Sequence, residues 1–166
     1  FAVSPGYTAE VGAACRRIGL PLLPGVATAP MENAANPFGA THINSCTKPL
    51  STAPTEYYGI DLAKSVDWTV IHGLDIIGNT TCIHRFQKDW LQTKQSIIQL
   101  VPKNKPVIID STGVGDAIVE DLQKHFHSMY GFKYTSTSKQ QLMESLASSI
   151  HKGEITFPEG VLKDEL

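Results

Sequence analysis

Cysteine is scarce in this chain: there are 3 in 166 residues, at positions 15, 46 and 82, far apart and odd in number. They supply neither a disulfide framework nor a zinc spacing, so a reducing compartment is expected. Charge of one sign is lacking too, because the formal net charge is −2. A protein that grips nucleic acid unaided carries a basic footprint, which this balance does not provide. A catalytic domain fed by a larger machine remains compatible with it. No apolar run is long enough to span a bilayer. No GxxxxGK[ST] phosphate loop occurs, and the 6 histidines form no HExxH pair. His125 and His127 stand two apart, which on a helix points them in different directions.

What is present suits one well-buried domain with a small appendage. Position 1 is Phe, as if the chain opened in mid-strand, and a fragment is expected. The last residues, Lys163-Asp164-Glu165-Leu166, spell an ER-retention address. The first residues lack the basic and apolar regions of a signal peptide, so the tetrapeptide reads as coincidence.

Two short apolar runs stop on a carboxylate: Tyr57-Tyr58-Gly59-Ile60-Asp61 and Pro106-Val107-Ile108-Ile109-Asp110. Small or flexible residues follow each. Aspartate is common wherever a strand meets a turn. Two acids delivered from strand tips into one cleft can also hold Mg²⁺, a hard ion served by one or two carboxylates plus substrate phosphates. Such a site suits phosphodiester hydrolysis by metal-activated water.

Organisation along the chain supports a shared cleft. Residues 1–31 read as strand, helix, strand, a small βαβ unit. Residues 32–56 carry Pro37, Pro49 and Pro54 among polar residues and read as a connector with a short helix around His42 to Cys46. From Tyr57 the pattern is regular. Strands are expected at Tyr57 to Asp61, Trp68 to Asp75, Thr80 to Phe86, Val107 to Asp110 and Gly131 to Tyr134. Helices are expected over Asp89 to Val101, after Gly115 with Ile118, Leu122 and Phe126 inward, and after a Ser138 cap with Leu142, Leu146 and Ile150 inward. Ile155-Thr156-Phe157 reads as a last short strand. A meander followed by alternating helices and strands predicts an α/β fold, a ribonuclease-H-like mixed sheet with flanking helices. If the first and fourth strands are parallel neighbours, both aspartates emerge at one sheet edge, where open α/β sheets bind ligands.

Beyond these patterns, the chain from Asn36 onward resembles the C-terminal nuclease domain of the large terminase subunit of tailed bacteriophages. The residues that carry the resemblance are Asn36-Pro37-Phe38-Gly39, Tyr58-Gly59-Ile60-Asp61-Leu62-Ala63-Lys64-Ser65-Val66-Asp67-Trp68-Thr69, Arg85-Phe86-Gln87-Lys88-Asp89-Trp90 and Ile109-Asp110-Ser111-Thr112-Gly113-Val114-Gly115-Asp116. It implies metal-dependent cleavage of double-stranded concatemeric viral DNA in genome packaging, in the cytoplasm of a bacterial host. It makes Asp61 and Asp110 the catalytic and metal-binding acids, with Mg²⁺ or Mn²⁺ as cofactor. A two-metal site is implied for the complete domain, with ions about 3.5–4 Å apart. The implied partners are an ATPase motor domain, a small terminase subunit and a portal, with no membrane. The family's third acid comes late in its domain, beyond the last residue of this chain.

Residues 1–31 resemble instead the central strands of the 2-keto-3-deoxy-6-phosphogluconate aldolases, through Phe1-Ala2-Val3-Ser4-Pro5-Gly6 and Pro21-Leu22-Leu23-Pro24-Gly25-Val26-Ala27-Thr28. Those enzymes work through a strand-borne lysine. No lysine precedes Lys48 here, and Lys48 does not match that strand. No aldolase activity is expected.

The organisation is therefore an aldolase-like fragment at 1–31, a connector at 32–56 and a nuclease domain at 57–166. An aldolase-like lyase fragment and a folded but inert remnant are the alternatives. Asp67 and Asp116 read equally as helpers of the metal site or as ordinary turn and helix-start acids. Lys64, Arg85 and Lys88 read as solvated surface or as contacts to DNA phosphates, and Trp68 and Trp90 as packing residues. The Gly113-Val114-Gly115 turn reads first as a tight turn and second as a phosphate cradle.

Overall fold

The computed structural model describes residues 36–113 and 115–166. The aldolase-like reading of 1–31 lies outside the described residues. Five strands form one sheet: β1 (Tyr57–Asp61), β2 (Thr69–Leu74), β3 (Thr80–Phe86), β4 (Val107–Asp110) and β5 (Met129–Phe132), in the order β3-β2-β1-β4-β5. The first three form an antiparallel meander. β4 then joins β1 in parallel, and β5 joins β4 in parallel. The sheet is mixed, as the alternation of elements predicts.

Helices cover both faces because every central strand buries both. Residues in β1 and β2 are almost all buried, so apolar side chains point up and down alike. On one face Ile60, Ile71, Val107 and Ile109 pack with Ile97 and Val101 from α2 (Trp90–Leu100) and its C-cap, and with Val119 and Leu122 from α3 (Gly115–Gln123). On the other, Val70 packs with Ile43 and Cys46 of α1 (Ala40–Cys46) and Leu146 and Ile150 of α4 (Ser136–Lys152). The short α5 (Val161–Asp164) adds Leu162. Phe38, Ile43 and Cys46 thus bring the proline-rich segment into the core.

Several expectations shift in detail. β5 lies two residues earlier than the pattern suggested. Thr135, not Ser138, is the N-cap of α4; Ser138 is its reciprocal partner in a capping box. Gly153 ends that helix in the left-handed conformation, at φ 67°. Thr156 and Phe157 make only isolated bridges, to Asn79 and Thr47, rather than a strand. No helix among the described residues is long and apolar enough to cross a membrane.

Candidate metal and DNA cleft

Asp61 and Asp110 arrive at one place through sheet topology alone. β1 and β4 run parallel with Ile60 opposite Ile109, and each strand's next residue is its aspartate. The isoleucines are fully buried, so the two strand ends are anchored by the core immediately beneath the acids. Asp110 Oδ1 accepts a hydrogen bond from the Thr112 backbone N–H at 2.8 Å, which turns the chain away from the sheet. Gly115 opens α3 against the same strand end; a Cβ there would lie 3.2 Å from the Asp110 carbonyl oxygen. The glycine therefore permits the close approach of helix and strand.

Asp110 opens into a cleft of about 370 Å³, bordered also by Leu62, Ala63, Lys64, Val66, Asp67, Trp90, Thr112 and Gly115; Asp61 stands next to it in the chain, one residue before Leu62. Its electrostatics are unfavourable to charge. Burial, then the Asp110 carboxylate, then Asp67 push the Asp61 carboxyl up to about 7. Perturbed acids of this sort concentrate at functional sites, although structural acids are also perturbed. The donors are oxygen atoms, the ligand type of hard cations. Among the described residues no three His, Cys, Asp or Glu side chains gather into a metal-holding group.

The remaining candidates sort by contact. Asp67 is exposed but close enough to raise Asp61. Asp116 pairs with Lys133 at 2.5 Å. Arg85 lies 4.4 Å over the Trp68 ring and 3.7 Å from Glu165. Lys88 donates to Ser96 Oγ at 2.7 Å and sits 4.9 Å over the Phe86 ring. Trp90, expected to pack against the sheet, borders the cleft, and so do Leu62 and Thr112, which follow the two aspartates in the matching strings without an expected role there. Gly113 takes φ 68°, consistent with a tight turn.

Comparison with known proteins agrees with this architecture. The family model described as the terminase RNaseH-like domain matches residues 58–165. The large terminase subunits of Thermus phage G20c and Thermus virus P23-45 are each 29% identical over 119 residues, covering 65% of this chain. The chain spans only 24% of the length of those relatives. Among solved structures, the large terminase nuclease from thermophilic phage G20c with bound zinc superposes with TM-score 0.63 at 25% identity, over 78% of this chain and 85% of that one. A second structure of the G20c nuclease gives TM-score 0.60 at 24% identity, over 76% of each chain. The P22 large terminase nuclease domain shares the fold, with TM-score 0.50 at 10% identity over 70% of this chain and 69% of that one.

Proposed function

Because the chain belongs to the terminase RNaseH-like domain family, we propose that it is the metal-dependent DNA endonuclease domain of a phage packaging terminase, acting on concatemeric viral DNA. The observation that carries this reading is the adjacency of Asp61 and Asp110 at parallel strand ends, with the Asp61 carboxyl raised to about 7. Residues 57–166 carry the catalytic elements in this proposal, with residues 36–56 packed into the same core through Phe38, Ile43 and Cys46. Double-stranded DNA is the substrate. An ATPase motor domain, a small terminase subunit and a portal are the partners in the complete assembly, within the bacterial cytoplasm.

Asp61 and Asp110 fit a hard divalent cation, Mg²⁺ or Mn²⁺, which needs only one or two carboxylates when water and substrate phosphate complete its shell. The zinc bound by the G20c nuclease supports divalent-metal use at this fold. When bound, such a cation supplies Lewis acidity and a water that ionises near neutral pH. Asp61 gives up its proton when it becomes a ligand, because only the carboxylate binds metal well. The core isoleucines below keep both carboxylates in register with each other, so that the acids act as one fixed anionic pair.

One observation favours a second reading, a folded but inert remnant: the described residues gather no set of three ligands. Nicking of supercoiled plasmid separates the two. The expected result is Mn²⁺-dependent nicking by the 166-residue chain, lost in Asp61→Asn and Asp110→Asn. Equal cutting by parent and Asp61→Asn would rule out the assigned site, and no metal-dependent cutting by the parent would favour the inert remnant.

A further inference from the structure

The turn between β1 and β2 is held far more firmly than its exposure requires. Thr69 is fully buried, and its hydroxyl both accepts from the Ala63 N–H at 3.1 Å and donates to the Ala63 carbonyl at 3.0 Å. Ser65, at φ 46°, donates its N–H to the Lys88 carbonyl at 3.1 Å. The Val66 carbonyl accepts from Gln87 Nε2 at 2.9 Å. Positive φ at a serine is costly and persists where surroundings over-determine it. Three contacts from outside the turn therefore fix one loop shape.

That shape presents Lys64 and Val66 at the cleft. Val66 is 84% exposed although β-branched and apolar. Lys64 makes no ion pair among the described residues, while Arg85 and Lys88 are each tied to an aromatic ring and a polar partner. Lys64 thus borders the same cleft as Asp110 without being held in an ion pair, and is placed to meet an incoming anion.

We propose that the pinned β1–β2 turn is the DNA-positioning element of the cleft, with Lys64 taking a backbone phosphate next to the one to be cut and Val66 resting on the sugar edge beside it. This rests on the nuclease reading above. A phosphate contact positions the duplex without reading its sequence, and each one contributes counterion release.

The test is duplex binding by the 166-residue chain, followed by fluorescence anisotropy in Ca²⁺ buffer over a range of salt concentrations. Lys64→Met is expected to weaken binding about threefold to tenfold at moderate salt and to lower the salt slope by about one. Lys64→Arg restores the slope. Lys103→Met, the same charge change at the opposite end of the sheet, leaves it at the parent value. Val66→Ser weakens binding a few-fold with the slope unchanged. If the parent binds and Lys64→Met keeps the parent slope, or if Lys103→Met loses as much, the positioning role is overturned while the nuclease reading stands. If the parent fails to bind duplex DNA even at low salt, the positioning role is overturned, and the plasmid-nicking assay decides the nuclease reading separately.

Discussion

Asp61 and Asp110 each stand one residue beyond a buried isoleucine, and those isoleucines, Ile60 and Ile109, face each other across parallel strands. The carboxylates are therefore fixed side by side by two central strands of the sheet, β1 and β4, rather than by any contact between themselves. Their repulsion is a cost that the fold tolerates at this one edge. A cation that fits there relieves it, and so does neutralising either acid.

Asp61→Asn, in the absence of divalent cations, is expected to raise the thermal midpoint at pH 8. The parent must keep a partly buried carboxylate ionised beside Asp110 and Asp67 at that pH. The gain is of order 1–2 kcal/mol after solvent screening, a few degrees for a chain of this size. Adding Mn²⁺ at ten times its dissociation constant stabilises the parent by about 1.4 kcal/mol through mass action. Neither Asp61→Asn nor Asp110→Asn should show that gain. Paired melting scans with and without metal check both points, and an unchanged metal response in the variants would exclude these acids as ligands.

Gly78→Ala is expected to destabilise the β2–β3 hairpin by about 1–3 kcal/mol. Gly78 sits at φ 97°, and a Cβ there would come within 2.4 Å of the Glu154 carbonyl oxygen. Strain and overlap act together. Urea midpoints measure the loss. The neighbouring Asp75 network, which takes N–H groups from Ile77 and Asn79, should hold the turn in place but cannot relieve the overlap.

The strands that end on a chemical signal were legible from the residues. β1, β3 and β4 have the expected limits because aspartate or a polar turn stops each one. β5 slid by two residues because such a shift keeps every side chain on the same face, so alternation from Met129 to Tyr134 does not set the strand ends and pairing with β4 does. The expected inner face of α3, through Ile118, Leu122 and Phe126, ran past the real helix end at Gln123. Val119 takes the buried place, and Phe126 reaches the core from the following loop. The acids of the site were readable one at a time. The environment of Asp61 was not, because it is made by Asp110 and by burial, both of which exist only once the sheet has formed.

Thr135→Ala is expected to cost about 1 kcal/mol, since Thr135 Oγ1 accepts from the Ser138 N–H at 3.1 Å and so closes the first turn of α4. Thr135 lies beyond β5 and is not among the residues that border the cleft, so the metal-dependent gain in thermal midpoint should be the same as in the parent. A change in that gain would show that α4 is coupled to the acids.

The pH dependence of stability carries two opposing contributions, and single variants should separate them. Burial lowers the His72 imidazole from 6.5 to about 3. The Thr80 hydroxyl donates to the Thr156 carbonyl at 2.7 Å, so it accepts from His72 Nε2, which lies 2.7 Å away and carries the proton of the neutral ring. The unfolded chain binds that second proton more readily, so the His72 contribution is complete above about pH 6.5 and is lost as pH falls toward 3. Asp61 works the other way. Its folded carboxyl sits at about 7 against an ordinary 3.8, so its contribution is most favourable below about pH 4 and is lost as pH rises to 7. Between pH 4 and 6.5 the two slopes have opposite sign, and the parent's stability should change little. Asp61→Asn should unmask the histidine, giving stability that climbs with pH up to about 6.5 and then levels. His72→Gln, which keeps a donor toward Thr80, should unmask the aspartate, giving stability that declines from pH 4 to 7. Urea midpoints at half-unit pH steps, without divalent cations, decide the matter. A profile for Asp61→Asn that runs parallel to the parent's would show that the carboxyl of Asp61 is not raised in the folded protein.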